Sequence, residues 1–416
     1  MIRRSRFPLF RSLPFWRVTM SLGLGTALLG VCPGAVQADD HAEGHVLIRL
    51  LPGASITDLA SEYDLHIVGQ VEGRDLYELR LPEGDRADEL AQELSVDSRV
   101  QYAEKETQVE LPEVHGKPFH MAFDFSVKAE GYLRQSAYAQ IDLSAPVSAA
   151  SGAGVTVAIL DTGAAFSHSG LKGRLLAGFN TLDSSLQPSD IDDGKTNISV
   201  GHGTMVAGIV ARTAPHASIM PIRVLDADGT GTMLHVLQGL HYAVTHGAKV
   251  INMSFGTPEK SRVLEDALSE AHDAGIVLVA SAGNEASSDL RYPAACQNVL
   301  AVASVDKDNR RSSFSNYGSY ISLVAPGSSI RSTYWTGGYA TWSGTSFASP
   351  FVAAEAAELI AQDSTRDSGE VGRRIRDTAR KVDTINPAYT RMLGAGLINM
   401  KAALLKSDGG KGGKDD

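Results

Sequence analysis

The sequence has little cysteine, few aromatic residues and a shortage of positive charge. Only 2 of the 416 residues are cysteine and 6% are aromatic, while 38 are basic and 48 acidic. Two cysteines exclude a disulfide scaffold, and 43% hydrophobic with 21% charged residues is typical of a soluble globular chain. Beyond residue 38 there are 33 basic against 48 acidic residues. This acidic balance argues against nucleic acid as a partner.

Long apolar runs are also missing, apart from one near the N-terminus. Five arginines and no acidic residue precede the apolar segment VTMSLGLGTALLGV, which small residues follow up to Ala38. This order predicts a secretory signal peptide over residues 1–38, and hence a secreted protein, extracellular or periplasmic. A membrane anchor is the alternative, but the run is shorter than the roughly 20 residues of a span, and no later segment is long and apolar enough.

Neither cysteine has an obvious chemical role. Cys32 raises the possibility of a lipoprotein, but Val31 stands where lipidation motifs carry a small residue. Signal-peptide cleavage would leave Cys296 alone, so no intrachain disulfide is expected and that thiol is interpreted as a small core residue.

A change in the pattern of apolar and polar residues divides the remaining chain. The first part runs through HVLIRL, ITDLASEY, LHIVGQV, DLYELRL, RADELAQELS and VQYAEKE, as strand, helix, strand, strand, helix and strand. This order predicts a small α+β, ferredoxin-like unit within residues 39–111. Two prolines and two glycines interrupt the pattern afterwards, which predicts a linker poor in regular structure over residues 112–139.

The third part alternates apolar strands with helical stretches. Its apolar runs are VTVAIL, ASIMPIRVL, KVINMSF, GIVLVASAG and VLAVASV, separated by stretches such as LHVLQGLHYAVTHG and RVLEDALSEAHDAG. Strands buried on both faces and separated by helices predict an α/β domain over residues 140–406, with a mainly parallel sheet and helices on both faces. The last ten residues, 407–416, have nothing to bury and are expected to be a disordered tail.

Four polar residues stand where the strands of such a sheet end or where helices begin. They are Asp161 in VAILDTG, His202 in GHGTMVAGIVAR, Asn284 after IVLVASAG, and Ser346 in WSGTSFASP. Functional groups of open parallel sheets collect at the carboxyl ends of the strands. A serine becomes a nucleophile when an imidazole takes its proton, and a carboxylate fixes that imidazole. Singly, each residue also fits a turn, loop or helix cap, but together they form one chemical set.

These residues lie in blocks that resemble the subtilisin-like serine peptidases, or subtilases. VAILDTG, GHGTMVAGIVA, NMSFG, ASAGNEA and SGTSFASP are each similar to a signature of that family, in the family's order, between about Gln140 and Lys406. The resemblance implies that Asp161 orients His202, that His202 is general base and then acid, and that Ser346 is the acylated nucleophile. Asn284 would form the oxyanion hole with the Ser346 N–H. No cofactor is required for this chemistry, and the substrates would be proteins or peptides.

The resemblance extends to substrate binding and to the N-terminal unit. NMSFG and ASAG are similar to the two walls of the family's primary specificity pocket, and DGTGT to the edge that pairs with an extended substrate. The candidate substrate-binding residues are Gly229, Thr230, Gly231, Ser254, Phe255, Gly256, Ala282, Gly283 and Arg291. A plain glycine turn is the alternative for DGTGT. Residues 39–111 resemble the family's inhibitory propeptide, which implies that the chain cuts itself between about Glu104 and Gln140.

One residue departs from the family pattern. Arg291 stands just before Tyr292 and Pro293, where many relatives have a small residue at the pocket floor. It could extend to solvent, or pair with Glu285 and narrow the pocket against large aromatic side chains.

Structural calcium is a further expectation, without an assigned ligand set. DSSLQPSDIDDG concentrates Asp183, Asp190, Asp192 and Asp193, and carboxylate oxygens suit that ion. An acidic solvated loop is the alternative.

Two other function classes compete with the serine peptidase. DTGA at Asp161 also resembles an aspartic protease loop, which needs a second carboxylate, and DSG at Asp367–Gly369 is the only candidate. An inactive peptide-binding scaffold is disfavoured because all four catalytic positions are present.

Overall fold

The computed structural model describes residues 44–84, 86–114, 128–143, 152–192, 194 and 198–406, which belong to one compact unit. The predicted signal peptide and C-terminal tail lie outside these residues, as does part of the predicted linker. Among the helices of the described ranges, none has the length and apolar character needed to cross a membrane.

The N-terminal part contains seven elements in chain order. They are β1 (His45–Leu50), α1 (Ile56–Glu62), β2 (His66–Gln70), β3 (Leu76–Arg80), α2 (Ala87–Leu94), β4 (Val100–Lys105) and β5 (Gln108–Glu110). The first four strands form an antiparallel sheet in the order β2-β3-β1-β4. This arrangement matches the predicted ferredoxin-like unit, element by element.

The two faces of this sheet pack against different layers. Val46 and Ile48 face the core beneath α1 and α2, whereas Leu47 joins a cluster with Leu76 and Tyr102 that also contains residues of later helices. Successive side chains of a strand point to opposite faces, so the alternation in HVLIRL supplies both contacts.

The larger part continues with β strands and helices in alternation. Its elements are α3 (Ala129–Leu133), α4 (Ser136–Gln140), β6 (Thr156–Asp161), β7 (Phe179–Asn180), α5 (His202–Thr213), β8 (Ser218–Arg223), β9 (Thr230–Thr232), α6 (Met233–Thr245), β10 (Val250–Met253), α7 (Arg262–Asp273), β11 (Val277–Ser281), β12 (Val299–Val305), β13 (Leu323–Pro326), β14 (Ile330–Thr333), β15 (Tyr339–Trp342), α8 (Ser349–Gln362), α9 (Ser368–Thr378) and α10 (Met400–Leu405).

A seven-stranded parallel sheet organises this part. Its order is β13-β12-β11-β10-β6-β8-β7. One apolar cluster joins the sheet to α5 and α8, and a second joins it to α6 and α7, so helices cover both faces. The predicted α/β fold class is therefore confirmed, and β6, β10 and β11 all end at the same edge of the sheet.

Three details differ from the sequence-based expectations. The end of the predicted linker forms α3 and α4, because Tyr132 and Tyr138 are buried there. Ser346 lies in a 3-10 turn, Thr345–Phe347, and α8 begins only at Ser349. The hairpin of β14 and β15 was not predicted.

Candidate active site

Asp161 and His202 meet at the carboxyl edge of the parallel sheet. Asp161 is the last residue of β6 and His202 the first residue of α5, and both side chains are fully buried. His202 Nδ1 lies 2.7 Å from Asp161 Oδ1. Gly201 caps the helix at φ 93°, and a Cβ there would overlap the ring of Tyr334. The glycine before His202 therefore allows the close turn that delivers the imidazole to Asp161.

Ser346 lies between the ends of two strands. Its Oγ is 3.1 Å from the carbonyl oxygen of Ser254, which follows β10, and Ser254 Oγ donates to the Ser346 carbonyl at 3.1 Å. Asn284 follows β11, and its Oδ1 accepts hydrogen bonds from Thr345 N (3.0 Å) and Thr345 Oγ1 (2.9 Å). All four predicted catalytic positions are thus brought to one place.

An unpredicted residue, Glu113, occupies the centre of this group. Ser346 Oγ donates to Glu113 Oε2 at 2.9 Å, and Asn284 Nδ2 donates to Glu113 Oε1 at 2.9 Å. His202 Nε2 lies 3.4 Å from Glu113 Oε2, and 4% of the Glu113 side chain is exposed. No local pattern in the sequence marks Glu113, which stands three residues after the end of β5.

The charge state of His202 depends on the two carboxylates beside it. Burial disfavours the imidazolium, but the charges and hydrogen bonds of Asp161 and Glu113 outweigh burial and raise the pKa of His202 to about 10. With Glu113 in place, His202 is therefore protonated at neutral pH.

The predicted substrate edge pairs with the chain's own segment. β9 pairs antiparallel with β5, and Leu111 N donates to Gly229 O at 2.9 Å. On the other side, Glu110 N donates to Gly256 O at 3.0 Å, and Gly256 N to Glu110 O at 2.8 Å. The segment thus lies between two edges, as a bound peptide does in strand addition.

The predicted pocket walls fall into two groups. Gly256, Gly283 and Arg291 line a cavity of about 10 Å³ with Ser281 and Glu285, room for roughly one water. Other lining residues are Glu110, Leu111 and Pro112.

Two predicted wall residues lie behind the surface. The Ala282 carbonyl accepts from Asn316 Nδ2 (3.1 Å) and Tyr320 Oη (2.9 Å), and Phe255 is fully buried in a cluster with Val109 and Leu111. Their side chains support the walls from the core.

Arg291 takes the second of its two expected positions. Its Nη2 lies 3.2 Å from Glu285 Oε1, and about a fifth of each side chain is exposed. Glu285 Oε2 also accepts from Asn316 Nδ2 at 2.6 Å. The arginine is therefore held at the pocket rather than extended to solvent.

Asp190 does not fit the predicted calcium loop. Its Oδ1 accepts from Gly201 N (2.8 Å) and Thr162 Oγ1 (3.2 Å), and its Oδ2 from Thr204 N (3.0 Å) and Thr204 Oγ1 (2.7 Å). Burial raises the pKa of this carboxyl group, although these hydrogen bonds oppose the shift.

Asp183 and Asp192, the other described aspartates of this loop, each accept a local hydrogen bond. Asp183 Oδ1 accepts from Ser185, Asp192 Oδ1 accepts from Gly194 N, and Asp193 lies outside the described residues. Within the described ranges, no group of three His, Cys, Asp or Glu side chains is placed to hold a metal. Structural calcium stays a prediction.

The second carboxylate required by the aspartic protease hypothesis has a structural role. Asp367 Oδ1 accepts from Glu370 N at 2.7 Å and caps α9. Cys296 is buried, as its interpretation as a core residue expects.

Comparison with known proteins agrees with this geometry. A model of the subtilase family matches residues 152–396, more than half of the 416-residue chain. Thermitase of Thermoactinomyces vulgaris is 41% identical over 243 residues, which are 56% of this chain and 84% of thermitase. Subtilisin BL of Lederbergia lenta is 37% identical over 261 residues, 61% of this chain and 91% of that protein.

Solved structures give the same result. A cold-adapted subtilisin-like serine proteinase matches with a TM-score of 0.51 and 33% identity over 55% of this chain and 83% of that one. Fervidolysin from Fervidobacterium pennivorans is a keratinolytic enzyme related to subtilisin. Its structure matches with a TM-score of 0.70 and 23% identity over 90% of this chain and 62% of that one, which shows a similarity of fold. This chain therefore belongs to the subtilase family and is a serine endopeptidase.

Proposed function

We propose that Asp161, His202 and Ser346 form the catalytic triad and hydrolyse peptide bonds through an acyl-enzyme. His202 Nε2 takes the Ser346 proton as Oγ attacks the scissile carbonyl, and then gives that proton to the leaving amine. Asp161 holds the Nδ1–H and stabilises the imidazolium. A water molecule, activated by the same imidazole, then releases the acid product and restores Ser346.

One observation carries this assignment. A single carboxylate, that of Glu113, is contacted by Ser346 Oγ and His202 Nε2 through one oxygen and by Asn284 Nδ2 through the other. Nucleophile, base and oxyanion donor therefore converge on a group with the size of a reacting carbonyl. Asn284 would stabilise the oxyanion together with the Ser346 N–H.

Substitution of the nucleophile tests the mechanism. Ser346→Ala should abolish casein hydrolysis by the purified enzyme, whereas Ser313→Ala, which changes an exposed serine, should retain it. Retained hydrolysis in Ser346→Ala, with the contaminating activity of a mock purification subtracted, would contradict the triad.

The enzyme is further proposed to be secreted as a zymogen, with residues 1–38 as signal peptide and residues 39–111 as intramolecular inhibitor. The pairing of β5 with β9 and Gly256 supports the second part, since the segment occupies a substrate's place. Mass spectrometry of the exported form would report both cleavage sites, and an N-terminus at residue 1 or near residue 39 in fully active enzyme would contradict the zymogen.

A further inference from the structure

The chain's own segment in the cleft turns just after its paired strand. Main-chain pairing runs from Gln108 to Leu111 and then stops at Pro112, which has no N–H to donate. Val114 N donates to Leu111 O at 3.0 Å, so the chain turns at this point. Just beyond the paired strand, the side chain of Glu113 contacts Ser346.

That side chain uses both of its oxygens. Glu113 Oε2 accepts the Ser346 hydroxyl and lies at ion-pair distance from His202 Nε2, while Oε1 accepts the Asn284 amide. Gly344 makes room for it, because a Cβ at that position would overlap Glu113 Oε1. The carboxylate is thus enclosed on three sides by the residues assigned to catalysis.

From these contacts we infer that Glu113 is an internal inhibitor of the catalytic centre itself, acting on Ser346 and His202 in addition to the occlusion of the cleft by β5. This inference rests on the proposed triad. A carboxylate resists attack by a hydroxyl because it already carries the negative charge that attack would create. The serine proton is directed to Glu113, and the oxyanion donor Asn284 is occupied.

The charge of Glu113 also affects His202, the proposed general base, in a way that opposes catalysis. Glu113 is one of the two carboxylates that raise the pKa of His202 to about 10, against the effect of burial. An imidazole that is already protonated cannot take the Ser346 proton. Cleft occlusion alone would exclude large substrates, whereas this arrangement also protects Ser346 from small reagents.

A small fluorophosphonate, which phosphonylates an activated serine, distinguishes the two effects. The freshly purified full-length chain would be labelled in a short time course, and intact mass would separate label on the uncut chain from label on cut enzyme. The variants are Glu113→Gln, which keeps the shape and removes the charge, and Glu113→Asp, which withdraws the carboxylate by one methylene. Glu93→Gln is the matched control, since it removes an exposed carboxylate of α2 in the same N-terminal unit, away from the cleft.

We expect the uncut Glu113→Gln chain to be labelled faster than uncut wild type by a factor of about ten or more. A factor of about ten corresponds to the free energy of one hydrogen bond to a charged group. Glu113→Asp should be intermediate and Glu93→Gln unchanged. Equal labelling of uncut wild type and uncut Glu113→Gln would overturn the inference. If even propeptide-free enzyme takes no label while a standard serine hydrolase does, the proposed triad fails instead.

A second measurement does not need an active serine. In the Ser346→Ala chain, NMR titration of the His202 ring should give a lower pKa when Glu113→Gln is added. An unchanged His202 titration would equally contradict the inference.

Discussion

At the scale of single residues, Asp190 connects the chain segment that carries His202 with the one that carries Asp161. It holds Gly201 and Thr204 at the start of α5, which carries His202, and it contacts Thr162, the neighbour of Asp161. Four donors converge on one buried carboxylate, so its loss leaves them unsatisfied. We therefore regard Asp190 as a positioning residue for His202.

Asp190→Asn is predicted to lower kcat about ten-fold in the mature enzyme with little change in KM, because small displacements of a base are costly. The control is Asp183→Asn, in the same loop and exposed, which should leave both constants unchanged. Steady-state kinetics on a peptide substrate, normalised to titrated active sites, make the comparison. A reduced Tm with unchanged kcat per active site would assign Asp190 a purely structural role.

Arg291 determines the size of the primary pocket in our interpretation. We predict that Arg291→Gly raises kcat/KM for Phe relative to Ala before the scissile bond by about ten-fold, the usual range for added apolar contact. Glu285→Gln is the informative control, because it breaks the ion pair and keeps the bulk of Arg291. Cleavage profiles of a mixed peptide library provide the measurement, and a dominant Phe or Tyr preference in wild type would refute the idea.

Sequence patterns identified those site residues that stand next to an apolar strand or helix in the chain. Asp161, His202 and Asn284 follow apolar strands or precede an apolar helix, so strand-end logic located them. Glu113 and Asp190 carry no such local signal. Their partners are distant in sequence, 233 residues in the case of Glu113 and Ser346, and only the packed structure brings them together.

At the scale of elements, α8 contains a carboxyl group in an unusual place. Glu355 is fully buried, and neither of its oxygens has a hydrogen-bond partner among the described residues. Burial raises the pKa of Glu355 from 4.5 to about 8. Between pH 4.5 and about pH 8, the unfolded chain therefore loses the Glu355 proton while the folded chain keeps it. The contribution of this group to stability is thus complete below pH 4.5 and is lost as the pH rises toward about 8.

Glu355→Gln should remove this pH dependence. The Tm of the variant relative to wild type is predicted to rise between pH 5 and pH 8, by several degrees, since the linked free energy is on the order of a few kcal/mol. Thermal unfolding of the Ser346→Ala background avoids self-digestion, and Glu259→Gln on the surface is the control. Parallel Tm curves for wild type and Glu355→Gln across this pH range would contradict the assignment.

The sequence predicted those strands and helices whose pattern of apolar residues extends over many positions. The β6, β8, β10, β11 and β12 strands were all predicted from apolar runs, and α6 and α7 from helical spacing. The 3-10 turn at Ser346 was not, because Thr345 N bonding to Asn284 Oδ1 is a tertiary contact that competes with the helix. Likewise α3 and α4 depend on burial of tyrosines against the larger domain.

At the scale of the whole molecule, the N-terminal sheet docks through hydrogen bonds and an ion pair as well as apolar area. Glu104 accepts the N–H of Arg262 at the start of α7 (2.9 Å), and Glu106 accepts that of Leu234 at the start of α6 (3.2 Å). Burial raises the pKa of both carboxyl groups, so they act here as acceptors for the unpaired N–H groups of the helix starts. Arg49 also pairs with Glu270 of α7 at 3.2 Å. Two helices of the larger domain are thus contacted by β1, by β4 and by the residue that follows β4.

This docking suggests how the larger domain folds. A parallel sheet with crossover helices depends on contacts between distant residues, whose closure entropy precedes any gain, so such domains fold slowly. We expect a unit that fixes α6 and α7 to lower that barrier and to place β5 in the cleft. Its release would then require a cut in the segment that follows β5.

We predict that wild type makes this cut itself, at a bond between about Glu104 and Gln140, and that purified Ser346→Ala keeps residues 39–111 covalently attached. Both proteins would be expressed in a host lacking related proteases and compared by intact mass. Because Glu113 holds the triad inactive in the uncut chain, Glu113→Gln should be processed faster than wild type, while the exposed Glu93→Gln should match it. Equal processing of wild type and Ser346→Ala would mean that another protease cuts the segment, since only an enzyme independent of Ser346 treats the two chains alike.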